Sequence, residues 1–178
     1  MGSRRFARGG VLAWIAGAAL AGAAHAQMSD DVALGVRAEA EGRLSASGVL
    51  VATEVEIKRA KSGLDQAQGP IETVDPAARS LRVAGVSVVL DPGATLSGAD
   101  GQPLELARLA PGQRAKAEGP FRDGVLHARS VEAEEAKPDE ADEVEIEGII
   151  THVDRVQSTF QLLGLTVKVA PQTEVELD

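Results

Sequence analysis

The chain has no cysteine and no tyrosine, and only 2% of its residues are aromatic. Without Cys it forms no disulfide, offers no thiol nucleophile, and cannot carry the lipidated Cys of a lipoprotein. Positive charge is also scarce, with 18 Lys and Arg against 27 Asp and Glu and a net charge of −9. A nucleic-acid groove needs basic residues for phosphates and aromatics for stacking, so this composition argues against one. There is no Gly-x-Ser-x-Gly elbow, and Gly98-Ala-Asp-Gly101 lacks the Lys and the helix of a phosphate loop. No activated nucleophile or acid–base pair is visible, so the expectation is a protein that is not an enzyme and holds no cofactor.

The N-terminus differs from the rest. Arg4, Arg5 and Arg8 precede an apolar run from Val11 to Ala24, which is shorter than the roughly 20 residues of a bilayer span. Ala24-His25-Ala26 supplies a small-x-small cleavage site. Residues 1–26 therefore read as a signal peptide, with the mature chain starting at Gln27. Arg4-Arg5 fits a twin-arginine leader, but the remainder of that motif is poor, so the general secretory route is expected. Removing the leader takes away three Arg and no acid, which leaves the mature chain more acidic still. Its only aromatics are Phe121 and Phe160, so its core is built from Val, Leu, Ile and Ala. Periplasmic residence is expected, with release from the cell as the alternative and no membrane span in the mature form.

Internal similarity is the strongest signal. Gly69-Pro-Ile-Glu-Thr-Val-Asp75 matches Gly148-Ile-Ile-Thr-His-Val-Asp154, and the match runs on through Leu81, Val83, Gly85 and Val88 to Phe160, Leu162, Gly164 and Val167. This is a front half-unit. Gly35-Val-Arg-Ala-Glu-Ala-Glu-Gly42 matches Gly112-Gln-Arg-Ala-Lys-Ala-Glu-Gly119, and Gly48-Val-Leu50 matches Gly124-Val-Leu126. This is a back half-unit. The order along the chain is back, front, back, front. The expected division is 27–68 for the first back half and its linker, 69–132 for a complete unit, 133–143 for an acidic linker and 144–178 for the last front half.

The periodic segments are short, rich in β-branched residues and bounded by Gly, Pro or Asp, which predicts an all-β protein. Leu165-Thr-Val-Lys-Val169 alternates as a half-buried strand does. In the back halves the apolar spacing breaks parity after Ala52 and Ala128, which predicts a bulge. Asp75 and Asp154 suit the first position of hairpin turns, and Ala84-Gly85 and Leu163-Gly164 mark tighter ones. Pro103 suits the start of a short helical connection. A front half supplies three strands and a back half two. The expected unit is a five-stranded meander with one short helical connection, the count of a small OB-like barrel.

These residues carry a resemblance. Leu-x-x-Gly-x-x-Ala-x-x-Glu-Gly followed by Gly-x-Leu-x-Ala-x-x-Val-Glu, after Val-Asp at a turn and Gly-Val-x-Val, resembles the bacterial domain family of unknown function DUF5666. The resemblance covers roughly Leu34 to Val175. It implies OB-like β-barrels in exported proteins, often in tandem, and it implies no catalytic or ligand residues. The chain departs from the usual order by opening on a back half and ending on a front half. Three arrangements follow. Residues 34–57 pair with the last front half as a second barrel; halves exchange between two chains in a homodimer; or the stray halves extend the central sheet.

His127 and His152 are not duplicated, since Val51 and Thr73 stand at the equivalent positions, and a surface role is expected for both. The repeated acids Glu41/Glu118, Glu56/Glu132 and Asp75/Asp154 are explained by solvation and backbone bonding. Acids between Glu132 and Glu147 are the best candidates for a hard cation such as calcium, with Asp139, Glu140, Asp142 and Glu143 foremost, although their spacing matches no known calcium loop. The functional expectation is an exported, non-enzymatic β-barrel module that binds a protein or another cell-envelope component through a sheet edge or barrel face. The alternative is an acidic periplasmic protein that binds a small ligand or a cation.

Overall fold

A computed structural model describes residues 28–59, 63–135 and 140–178. The expected leader and the mature start at Gln27 lie outside the described residues, and so does Asp139. The first back half supplies β1 (Arg37–Leu44) and β2 (Leu50–Lys58), and the first front half supplies β3 (Asp65–Asp75), β4 (Ser80–Val83) and β5 (Val86–Ser97). The second back half supplies β6 (Arg114–Gly119), β7 (Phe121–Arg122) and β8 (Val125–Glu134). The last front half supplies β9 (Glu143–Ile149), β10 (His152–Asp154), β11 (Thr159–Leu162) and β12 (Leu165–Leu177). The short helical connection is a single 3₁₀ turn, Leu106–Arg108. No helix among the described residues is long and apolar enough to cross a membrane.

Alternation decides what each strand buries. Leu165, Val167 and Val169 point inward from β12, while Thr166 and Lys168 stay half-exposed. The tight turns follow the same economy: Ala84 and Gly85 both take positive φ, as do Leu163 and Gly164, which matches the right-handed twist of the flanking strands. Asp75 Oδ1 accepts hydrogen bonds from Ala77 and Ala78 N–H, and Asp154 Oδ1 accepts one from Gln157 N–H.

Strands β3, β4, β5, β8 and β6 run side by side, and β6 returns to β3 to close a five-stranded, OB-like barrel, here called ring two. The expected meander is corrected in one respect. The fourth strand does not lie beside the third. The connection carrying the 3₁₀ turn delivers β6 to β3, and β5 instead pairs with β8 in parallel. The length of β3 explains this. Its residues 71–75 pair with β4, while 65–70 remain to be satisfied and pair with β6, so closure leaves no open backbone edge there.

The other strands repeat this plan as ring one. β1 pairs with β2 and β9, β2 with β12 in parallel, β12 with β11, and β11 with β10. β9 and β10 together play the part of β3. Ile150 N–H donates to Val36 O, and the next amide, Thr151 N–H, donates to Gln161 O, so one strand changes partner in mid-course. The first back half thus pairs with the last front half of the same chain. The rings meet where β3 and β9 pair through Gln66–Glu147, Ala67–Ile146 and Gln68–Glu145. Ala67 and Ile146 are equivalent positions of the two copies, so the seam has pseudo-twofold symmetry.

The expected bulge is present: Glu41 pairs with Glu54 but Gly42 with Ala52, leaving Thr53 extra. It brings backbone against backbone. A Cβ on Gly42 would lie 2.1 Å from Val51 O, and one on Gly119 would lie 2.0 Å from His127 O. Any side chain there forces the sheet apart. Gly119→Ala and Gly42→Ala are each expected to lose at least about 2 kcal/mol of stability, measured by urea unfolding. Near-neutral behaviour of either variant would contradict this account of the bend.

Candidate acidic face

Directly opposed residues of an antiparallel pair point to the same side of the sheet. Two polar rows therefore cross the outer surface over both rings. One runs Glu56, Glu39, Glu147, Gln66, Glu118; the other runs Glu54, Glu41, Glu145, Gln68, Lys116. Beneath them the strands bury Ala38, Ala40, Ala67, Ala117, Val144 and Ile146. Small side chains under the rows let the strands curve tightly and keep the glutamates close.

Carboxylate oxygens of Glu39, Glu41 and Glu145 lie within 4.8 Å of one another. Lys58 is a nearby cation, 2.9 Å from Glu39 and also paired with Glu56. Burial alone would lower the Lys58 pKa, but its bonds to these two carboxylates outweigh that and push it up. Burial leads in pushing the Glu41 carboxyl above its ordinary range, followed by the charges of Glu54, Glu39 and Glu143, with Lys58 opposing. Burial also leads in raising Glu145, joined by Glu39 and Glu41; Lys116 and a hydrogen bond from Gln66 Nε2 oppose it. The cluster holds more negative charge than its cations neutralise.

Two arginines are buried at equivalent positions, Arg37 at 3% exposure and Arg114 at 5%. Arg37 Nε donates to Glu147 at 2.6 Å, Nη1 to Asp65 at 3.2 Å, and Nη2 to Leu64 O. Arg114 Nη1 donates to Glu140 O at 2.5 Å and Glu143 O at 2.7 Å. Each arginine belongs to one ring and binds the chain where it enters β3 or β9 of the other. All this bonding goes to groups that would otherwise need water.

The cation candidates read from sequence separate here. Asp142 is exposed. Glu140 and Glu143 line a polar pocket of about 200 Å³ together with Glu41, Glu145, Gln68 and Arg114. Glu39 and Glu41 were not among the candidates, because only the register of β1 on β9 carries them to Glu145. His127 sits at the surface with Nδ1 3.3 Å from Asp91. His152 is exposed and lines a cleft of about 540 Å³ with Val32, Leu34 and Arg155.

The two rings differ at these positions. Where ring one has Glu39, ring two has Lys116. Where ring one has Glu145 and Glu147, ring two has Gln66 and Gln68. The acidic cluster therefore belongs to ring one alone and is no part of the shared scaffold.

Comparison with known families gives a match over most of the chain. The model of DUF5666, a domain of unknown function, matches residues 22–56, 68–132 and 147–178. The middle segment falls on ring two and the outer segments on the two parts of ring one. No curated protein and no solved structure matches.

Raised carboxyl pKa values give stability that is complete below the ordinary value of 4.5 and is lost as pH climbs through the raised values. Thermal stability is thus expected to fall between mildly acidic pH and neutrality. Glu145→Gln, which installs the residue of ring two, is expected to gain up to about 1 kcal/mol at pH 7 and to flatten that dependence. An unchanged pH profile would refute the charge crowding. Arg37→Met is expected to cost about 2–3 kcal/mol by denaturant unfolding. This is less than a fully buried pair would cost, because Asp65 and Glu147 retain some water.

Proposed function

The chain belongs to the DUF5666 family, whose function is unknown, and from that premise we propose that it is an exported, non-enzymatic binding module of the cell envelope. It acts through the acidic face of ring one and takes a cationic group of its partner. One observation carries this reading. Ring one stacks Glu41 on Glu145 and Glu39 on Glu147, where ring two places Glu118 on Gln66 and Lys116 on Gln68. Like charges directly opposed weaken a sheet. A residue set that loosens its own fold, and that the sister copy lacks, is accounted for by something it binds. The closed barrels favour a face over a strand edge, because both lateral partners of most strands are already supplied by the chain.

A second reading rests on the same cluster. Three carboxylates with oxygens within 4.8 Å suit a hard divalent cation such as calcium, which takes oxygen ligands at about 2.3–2.6 Å. Glu143 and Glu140, beside them in the polar pocket, extend the oxygen supply.

Two measurements separate these readings. An envelope pull-down with the full chain is expected to recover a basic partner that is lost with Glu41→Gln/Glu145→Gln. Equal recovery by the two proteins would overturn docking through this face. Melting with millimolar calcium and with chelator tests the second reading; an unchanged midpoint removes it, while a calcium-dependent rise without any protein partner favours it.

A further inference from the structure

Ring two covers the end of β5 with its own chain. Beyond β5 the chain folds back along the strand: Gly98 N–H donates to Gln102 O at 2.8 Å, Ser97 pairs antiparallel with Pro103, and Leu104 N–H donates to Leu96 O at 2.9 Å. Leu104 and Leu96 both pack on the core. The equivalent stretch of ring one is residues 174–177 of β12, which pair with β2 in parallel on one side. On the other side no strand pairs with them among the described residues. Asp178 N–H donates to Ile57 O. Backbone groups alternate along a strand, so Leu177 N–H and Val175 C=O point away from β2, toward the unpaired side.

Side-chain exposure agrees. Val175 and Leu177 lie level with Val55 and Ile57, which are buried, yet Leu177 is 60% exposed. Glu174 and Glu176 point to the other side of the sheet, level with Glu54 and Glu56, and both are exposed.

The chain's own sequence suits this edge poorly. Both rings follow one path before their back halves. Val32 N–H to Ser29 O, Gly35 N–H to Ile150 O and Val36 N–H to Ala33 O repeat the bonds of Leu109 N–H to Leu106 O, Gly112 N–H to Ile71 O and Gln113 N–H to Ala110 O. By that count Gln27 corresponds to Leu104, a polar residue for an apolar position. A second copy presenting the same edge would set glutamates against glutamates.

We propose that this edge of β12 binds an extended segment of a partner protein. The segment adds antiparallel to residues 174–177, with an apolar residue opposite Val175 and a basic residue opposite Glu176. The course of Gln102, Pro103 and Leu104 along β5 is the template. Main-chain bonds satisfy the edge, the apolar side chain covers the exposed end of the barrel, and the basic one neutralises the glutamates. The edge carries this inference by itself, so it stands even where the Glu39, Glu41 and Glu145 cluster binds nothing.

Fluorescence anisotropy with the full chain and a labelled peptide of alternating Val and Lys tests it. In the proposed pose the Val N–H groups face β12 and the Lys N–H groups face solvent. N-methylation at Val is expected to weaken binding at least about tenfold, and N-methylation at Lys to leave it unchanged. Leu177→Pro removes an edge donor and leaves the bonds to β2 in place. It is expected to cause the same loss with an unchanged circular-dichroism spectrum. Glu174→Lys/Glu176→Lys is expected to reverse the preference, toward a peptide of alternating Val and Glu. No binding by wild type would overturn the proposal, as would equal binding of the two N-methylated peptides or equal binding by Leu177→Pro. Slow hydrogen exchange at the Leu177 amide without peptide would assign the edge to the chain's own residues. Self-association lost in Leu177→Pro would assign it to a second copy. Either result also overturns the proposal.

Discussion

The pairing of β3 with β9 is the constraint on which the rest of the molecule depends. Each of these strands is already committed on its other side, β3 to β6 and β9 to β1, so the seam joins two closed systems and has only three residue pairs to do so. Symmetry makes those few pairs sufficient. Ala67 meets its own counterpart Ile146, and the flanking positions exchange roles across the axis. The connecting segments must then cross from one ring to the other, and a buried arginine waits at each crossing. Arg37 and Arg114 satisfy backbone carbonyls at the strand entries and neutralise adjacent acids in the same act. Seam and arginines together hold the rings in one relative placement without a disulfide.

That rigidity gives meaning to the charges laid over it. The two rings bury the same positions: Ala38 and Ala115, Leu50 and Leu126, Val55 and Val131 are all in the core. The rings differ on the outer surface. Glutamates face one another where β1 and β9 meet, at the expense of the pairing they decorate. Proteins have little stability to spare, so charge crowding concentrated at one of two equivalent sites is a cost that the other ring avoids.

The sequence made much of this legible in particular residues. The matched motifs placed the half-units along the chain, and the alternation of Leu165 to Val169 falls at the start of β12. The lost parity after Ala52 announced the bulge at Thr53, and the aspartates at 75 and 154 took the turn positions assigned to them. The order of strands in the barrel was less accessible. A meander is the local solution, and only the unpaired stretch of β3, residues 65–70, requires the fourth strand to close beside it. Glu39, Glu41 and Glu145 are scattered along the chain and are ordinary polar positions of strands when read singly. The acidic linker attracted attention because its charges are contiguous, and among its described residues Glu140 and Glu143 reach the polar pocket.

Sequence by itself determined what repeats: strand positions, turn chemistry, bending glycines and a mostly aliphatic interior around Phe160, because each of these is dictated by neighbours a few residues away. Tertiary structure alone decided which halves close together and which charges face one another. Those outcomes depend on register between strands brought together from opposite ends of the chain, where a shift of one residue would turn every glutamate to the other side of the sheet.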